Sequence, residues 1–368
     1  MSIYEQMNTF SVKTPKGERK IGAEHPCFIV AEVSCNHLQK LDKAKEIIRA
    51  AAENGADAIK LQTYTPDTIT MNVRNKYFVL GGKDNPESWK GKVLYELYGL
   101  AYTPWEWHKE LFDLANSLGI VGFSSPFDET AVDFLEKLNV PLYKIASYEM
   151  THVPLVKKVA ETGKPLIMSV GFNTFDEAKE SVDAFRVADG KDLALMHCLN
   201  TYADESDPKD THLNTIRDLA KKFDVVSGFS DNNGGIAFAV LAAASGASII
   251  EKHLVVSHDD ETFDKRFSID PAELREMVDT IRRNEKAMGE PHYGPVNDAE
   301  AYNLRLRRSI FAEKDIKKGE TFTKDNIRVV RPSFGLAPKY FEVVLGKKAA
   351  AYIKKGEPIS RELIEGQI

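Results

Sequence analysis

The chain has 368 residues, 43% of them apolar and 28% charged, with a formal net charge of -6. This is the composition of an ordinary soluble globule, and its acidic balance argues against a nucleic-acid surface. The chain has no run of eighteen apolar residues that could span a bilayer, and residues 1–22 are too polar for a signal peptide, so a cytoplasmic protein is expected.

The first strong element is Phe28-Ile29-Val30-Ala31, an apolar run bounded by Pro26 that ends in Glu32, Asn36 and His37. Such a run suits a strand buried on both faces, with function at its carboxyl end. A helix is expected from Lys40 to Asn54, where Leu41, Ala44, Ile47, Ile48 and Ala51 recur at helical spacing before Gly55. Ala58 to Thr63 is a second strand. The alternation then repeats, with strands expected at Ile120–Ser124, Leu142–Ala146, Leu166–Ser169, Leu193–Met196, Val225–Phe229 and Ser248–Lys252. The helices between and after them lie from about Trp105, over Glu129–Leu138 and Pro154–Thr162, near Asp176–Ala188 and Leu213–Lys222, and over Ile236–Ser245 and Pro271–Met288. Eight strands alternating with eight helices is the count of a closed (β/α)8 TIM barrel, not of an open doubly wound sheet.

The chain divides into an N-terminal extension (1–22), a barrel (23–290), a linker rich in Pro and Gly (291–308) and a small turn-rich domain (309–368). The barrel is interrupted by Tyr64 to Thr103, an insertion of about forty residues carrying Gly81-Gly82 and Trp89; so long a connection is expected to lie over the barrel mouth. In the small domain, Asp315-Ile316-Lys317-Lys318-Gly319-Glu320 is echoed by Tyr352-Ile353-Lys354-Lys355-Gly356-Glu357, which implies internal pseudo-symmetry. At about sixty residues this domain is expected to have little core and to lean on the barrel or a second subunit. Cys27, Cys35 and Cys198 are too few and too scattered for a disulfide framework or a zinc knuckle, and buried reduced thiols are expected.

Barrel enzymes build their sites where the strands end, so those ends are read together. They carry Glu32, Asn36, His37, Lys60, Gln62, Ser124, Ser125, Lys144, Ser147, Glu149, Ser169, Asn173, His197, Asn200, Tyr202, Ser230, Asp231, Asn232, Glu251, Lys252 and His253. Lysines, hydroxyls and a few carboxylates together suit a small polyanion, a phosphate or a carboxylate plus a phosphate. Each residue also has a plainer account. Lys60 and Lys252 could pair with a neighbouring glutamate and fill the interior, His37 and His197 could be hydrogen-bonded packing residues, and the serines could cap helices. Eight polar strand ends together, and the cost of idle buried charge, favour a site.

Phe28 to His37, Ala58 to Thr63, Ser124-Ser125-Pro126-Phe127, Tyr143 to Glu149, His197-Cys198 and Glu251-Lys252-His253 together resemble the sialic acid synthase family, which condenses phosphoenolpyruvate with a six-carbon amino sugar. The carboxyl segment, with Ile316 to Gly319, Arg331-Pro332 and Gly335 to Pro338, resembles that family's antifreeze-like (SAF) domain. Arg19 to Gly22 and Tyr102 to His108 look most like the pseudaminic acid branch of the family. The resemblance implies that Lys60, Ser125, Lys144, Ser147, Ser169, Asn200 and Ser230 hold phosphoenolpyruvate, with Glu149 also on the substrate. It implies that Glu32 is the acid near the reacting carbons, that Tyr202 and Asp264 contact the acetamido sugar, and that His253 binds a catalytic divalent metal. Manganese is the metal expected, with magnesium or cobalt as alternatives. Arg331 would be lent to the partner's sugar site in a domain-swapped homodimer.

The sequence departs from the family on the sugar and metal side. Ser230-Asp231-Asn232 places an amide where a second metal-binding histidine is expected, and an amide oxygen is a poorer ligand than imidazole for manganese-like metals. Thr262-Phe263-Asp264 replaces a Gly-Pro-Asp turn, and Ala203-Asp204-Glu205 stands where a proline is expected. The alternatives are an N-acetylneuraminic or legionaminic acid synthase, or a paralogue that binds phosphoenolpyruvate or sugar without turnover.

Overall fold

The computed structural model describes residues 8–80, 91–204 and 206–367. They fall into two compact units, Met1–Met288 and Gly289–Ile368.

In the first unit eight parallel strands close a barrel in chain order: β3 (Phe28–Glu32), β4 (Ala58–Thr63), β5 (Val121–Pro126), β6 (Tyr143–Ile145), β7 (Leu166–Val170), β8 (Leu193–Cys198), β9 (Val226–Asp231) and β10 (Ile249–His253), with β10 pairing back onto β3. The expected (β/α)8 barrel is the observed fold. The helices fall within a few residues of their expected spans, beginning with α1 (Leu41–Glu53), which stops at Gly55 with φ +89°. The helix expected from Trp105 begins as a 3-10 turn, Trp105–Trp107, before α4 (His108–Ser117).

Because successive strand residues point to opposite faces, two cores result. Ile29, Ala31, Ile59, Leu61, Tyr143, Ile145, Met168 and Leu195 point outward and pack with α1 and the other surrounding helices. Phe28, Val30, Ala58, Phe123, Ile167, Met196 and Ile249 point inward and fill the lower barrel. Residues 9–22 form an antiparallel hairpin, β1 (Thr9–Thr14) with β2 (Gly17–Gly22), whose Phe10, Val12 and Ile21 join this inner core. The hairpin therefore plugs the amino-terminal end of the barrel.

The insertion contributes two short helices, α2 (Pro66–Ile69) and α3 (Leu94–Ala101). Gly81-Gly82 and Trp89 lie outside the described residues. No helix among the described residues is long and apolar enough to cross a membrane.

The second unit has a core of its own, contrary to expectation: Ile310, Ile316, Phe322, Ile327, Val344, Ile353, Ile359 and Ile364 pack together. The two echoed turns pair with each other, Ile316 and Ile353 exchanging backbone hydrogen bonds of 2.8 and 2.9 Å. Each turn closes alike, with Glu320 accepting from the Lys317 amide at 2.9 Å and Glu357 from the Lys354 amide at 3.0 Å. Pairing two copies of one turn gives so short a segment a shared apolar centre.

Candidate active site

At the carboxyl end of the barrel the inward positions change from apolar to polar: Glu32, Lys60, Ser125, Lys144, Ser169, Ser230, Glu251 and His253 continue the rows begun by Val30, Ala58, Phe123, Leu142, Ile167, Gly228 and Ile249. Above them lies a cavity of about 560 Å³, lined by Lys60, Lys144, Ser147, Glu149, Ser169, Asn200, Tyr202, Ser230, Asn232, Glu251, His253 and Asp264 among others.

Its floor is an ion-pair network. Lys60 Nζ lies 3.0 Å from Glu32 Oε2 and 3.0 Å from Glu251 Oε1. Burial works against the Lys60 charge, but Glu251 and Glu32 outweigh it and hold the ammonium above the ordinary lysine range. Burial likewise works to raise Glu251, and the charges of Lys60 and Lys144 hold it down at about 2. Lys144 is lowered by burial, against the pull of Glu251. Two lysines thus stand beneath the cavity, and among the described residues Lys60 has carboxylates within ion-pair reach and Lys144 has none.

Around Lys144 the hydroxyls of Ser125, Ser147 and Ser169 and the Oδ1 of Asn200 are buried with no hydrogen-bond partner among the described residues. An unmade buried hydrogen bond costs about 1–3 kcal/mol, so the three serine hydroxyls, as donors, point to ligand oxygens that complete them, and the Asn200 oxygen, an acceptor, to a donor. Gly171, just after β7, makes room for this cluster, since a Cβ there would meet Asn200 Oδ1 at 1.7 Å and Ser147 Oγ at 2.7 Å. Glu149 also faces the cavity; burial pushes its pKa up to about 7, against the lowering pull of Lys144.

The other side of the cavity is built by loops. Asp264 accepts from Ser34 Oγ at 2.6 Å and lies 3.5 Å from His253 Nδ1. Burial works to raise Asp264, and the neighbouring His253 imidazole together with the hydrogen bond from Ser34 holds it below the usual carboxylate range. Tyr202 packs edge-on against Phe267, which also packs on His253. The segments around the departures noted in the sequence meet here. Ala203 bridges to Asn233, Gly234 N donates to the Ala203 carbonyl at 3.1 Å, and Arg266 grips Asp204 in a bidentate pair at 3.0–3.3 Å.

A divalent cation could be held by His253, whose buried Nδ1 makes no hydrogen bond among the described residues. Asn232 spends its amide nitrogen on the Leu199 carbonyl, at 2.8 Å, which leaves its oxygen as the donor atom available to a hard cation. The donor set fits a cation held with few protein ligands. Among the described residues the three-member cluster of metal-binding side chains is elsewhere, at His258, Asp270 and Glu273. None of these lines the cavity, and Asp270 and Glu273 there cap the start of α10 (Pro271–Met288) through mutual backbone bonds.

Several strand-end residues do not reach the cavity. Lys252 points outward and pairs with Asp231 at 3.1 Å. His37 bonds Thr103 Oγ1 at 3.0 Å and accepts from the Gln39 amide, and burial lowers it to about 4. His197 is bonded to the Thr211 carbonyl at 2.7 Å, and Ser124 bonds Thr63. For these the plainer account holds. Glu32 is fully buried beneath Lys60, also accepting from the Ser34 amide at 3.1 Å and Gln62 Nε2 at 3.0 Å. Arg331 is exposed on the second unit. All three cysteines are buried and free, but Cys35 and Cys198 also line the cavity. The apolar lining residues Leu97, Tyr98 and Phe267 are absent from the sequence reading, and only the helical spacing around Leu97 could have flagged two of them.

The sequence profile of the NeuB family matches residues 47–293, and that of the SAF domain matches residues 307–365. The chain is 41% identical over 334 residues to a pseudaminic acid synthase of Campylobacter jejuni subsp. jejuni serotype O:2, covering 91% of this chain and 95% of that one. It is 41% identical over 341 residues to a pseudaminic acid synthase of Helicobacter pylori, covering 92% and 98%. Among solved structures, an N-acetylneuraminic acid synthetase from Leptospira borgpetersenii serovar Hardjo-bovis in complex with citrate superposes with a TM-score of 0.69 at 28% identity, covering 82% of this chain and 97% of that one.

Proposed function

The chain belongs to the NeuB family, and on that premise we propose that it condenses phosphoenolpyruvate with a six-carbon 2-acetamido or 2,4-diacetamido sugar to give a nonulosonic acid of the pseudaminic type and phosphate. The observation that carries this reading is the pair of Ser147 and Ser169 hydroxyls, buried without partners among the described residues, that line one cavity with Lys60 and Lys144, with Ser125 at the neighbouring end of β5. Two cations and several donors match the phosphate and carboxylate of phosphoenolpyruvate.

In the reaction the enol carbon of phosphoenolpyruvate forms a bond to the sugar's aldehyde carbon, water adds to the neighbouring carbon, and its C–O bond to phosphate breaks. Lys60, Lys144, Asn200, Ser230 and the three serines hold the phosphoenolpyruvate, and Glu149 borders it. As the substrate's anion draws Lys60 toward itself, Glu32 Oε2 loses its partner and becomes the carboxylate placed to handle the proton of the incoming water. Asp264 and Tyr202 contact the sugar. His253 and Asn232 would hold the divalent metal, manganese before magnesium or cobalt, and when bound it supplies Lewis-acid polarisation of the aldehyde oxygen. Arg331 completes the sugar site of a second copy in a domain-swapped homodimer. The free cysteines suit the reducing cytoplasm.

Phosphate release from phosphoenolpyruvate, measured against a panel of 2-acetamido and 2,4-diacetamido sugars, tests the reading. Turnover with a diacetamido hexose is expected. Turnover with N-acetylmannosamine alone would remove the pseudaminic assignment.

A further inference from the structure

The cavity's polar lining is absorbed by the reaction, but much of its wall is apolar and comes from the insertion. In α3, Leu94, Leu97, Tyr98 and Ala101 all line the cavity. Their spacing is i, i+3, i+4, i+7, which is one whole face of the helix. Leu97 is 5% exposed, so this face is turned into the cavity rather than out to solvent. The Tyr98 ring packs edge-on against Tyr64 at 5.5 Å, and Tyr64 against Phe127 at 5.0 Å, tying the helix to the ends of β4 and β5. Ile69 of α2 and Phe263, next to Asp264, extend the same wall.

The leucine, isoleucine, alanine and phenylalanine side chains of this wall offer nothing to phosphate, carboxylate or hydroxyl groups. They gain free energy only by removing apolar surface of a ligand from water. On the function proposed above, the part of the ligand that meets this wall is the sugar, since Phe263 of the wall adjoins Asp264.

We propose that the inward face of α3, centred on Leu97, selects the acceptor sugar by its methyl-bearing substituents, favouring an acyl methyl over a hydroxyl at the position that meets the wall. This rests on the function proposed above. Leu94 and Leu97 determine specificity without touching the reacting atoms, whereas the strand-end lysines and serines serve every acceptor alike.

The experiment compares kcat/KM for a 2,4-diacetamido hexose and for the matched 2-acetamido hexose with a free 4-hydroxyl, in the full-length wild type and in Leu97→Asn, Leu94→Asn and Leu97→Met. The wild type is expected to prefer the diacetamido sugar. Each asparagine variant is expected to shrink that preference by about 10-fold, the scale on which apolar pockets discriminate a small group, while KM for phosphoenolpyruvate holds. Leu97→Met, still apolar, retains the preference. Should Leu97→Asn lose saturable phosphoenolpyruvate kinetics through misfolding, the half-buried Leu94→Asn carries the comparison. Equal losses toward both acceptors in Leu94→Asn would overturn the proposal and leave the wall a packing element. A wild type that turns over diacetamido and monoacetamido sugars equally would also overturn it, with the synthase reading intact; no phosphate release with any acceptor overturns both.

Discussion

Lys60 Nζ sits 3.0 Å from Glu251 Oε1, and neither side chain is more than 5% exposed. With Glu32 on its other side, Lys60 is shared between two buried carboxylates. Removing one partner of a buried pair leaves an uncompensated charge, which costs about 3–5 kcal/mol. Lys60→Met is expected to lower stability on that scale in chemical denaturation and to abolish phosphate release. Lys60→Met with Glu251→Gln should recover part of the stability and none of the activity. A single variant as stable as the wild type would show that the pair is not coupled to folding.

Glu149 gives a pH signature. Its pKa stands at about 7 against an ordinary 4.5 because burial disfavours the charge. The folded protein therefore holds a proton that the unfolded chain has already lost between those values. The carboxyl costs stability progressively as pH rises from 4.5 to about 7 and by a constant amount above it, at most about 3 kcal/mol. Next to an anionic substrate the neutral form is the binding one, so kcat/KM for phosphoenolpyruvate should fall above about pH 7. Glu149→Gln should flatten both profiles across that window, and a variant that retains the wild-type limb would reassign it to another group.

Gly171 is expected to behave as a positioning residue. In Gly171→Ala the new methyl would stand 1.7 Å from Asn200 Oδ1, so Asn200 must swing away and Ser147 with it. Misplacement of about 1 Å in a reactive site costs on the order of 100-fold. KM for phosphoenolpyruvate should rise on that scale while the melting temperature moves little. An unchanged KM would mean that neither Asn200 nor Ser147 touches the substrate.

Asn232 predicts weak metal retention. Replacing its amide by imidazole in Asn232→His supplies the donor that first-row divalent metals prefer. Manganese affinity by calorimetry is expected to tighten by about 10-fold, the low end of the range by which ligand-shell changes alter metal affinity. No change in affinity would place the ion away from Asn232.

The barrel was readable from sequence because each βα unit carries its own signals: an apolar run, a polar tip, a helical stripe and a glycine stop. The same period-two rule separates Glu251, which faces the cavity, from Lys252, which pairs outside it with Asp231. Treating Glu251-Lys252-His253 as one polar tip overlooked that parity, and counting strand residues from apolar Ile249 would have exposed it. His37 and Thr103 illustrate what local pattern cannot carry, since their bond joins the end of β3 to the end of the insertion. The helical face Leu94, Leu97, Tyr98 and Ala101 is visible in the sequence, but periodicity does not say which surface a helix will meet. The pairing of Asp204 with Arg266 is likewise a product of closure, linking loops far apart in the chain.

Phe10, Val12 and Ile21 of the hairpin add to a lower barrel already filled by Phe28, Val30, Phe123 and Ile167, so the cavity does not continue through that end. If the substrates sit as proposed, with phosphoenolpyruvate among Lys60, Lys144 and Ser169 and the sugar over it, the former enters first and the sugar acid departs before the phosphate beneath can follow. Steady-state kinetics with product inhibition should accordingly show a compulsory sequence, phosphoenolpyruvate leading.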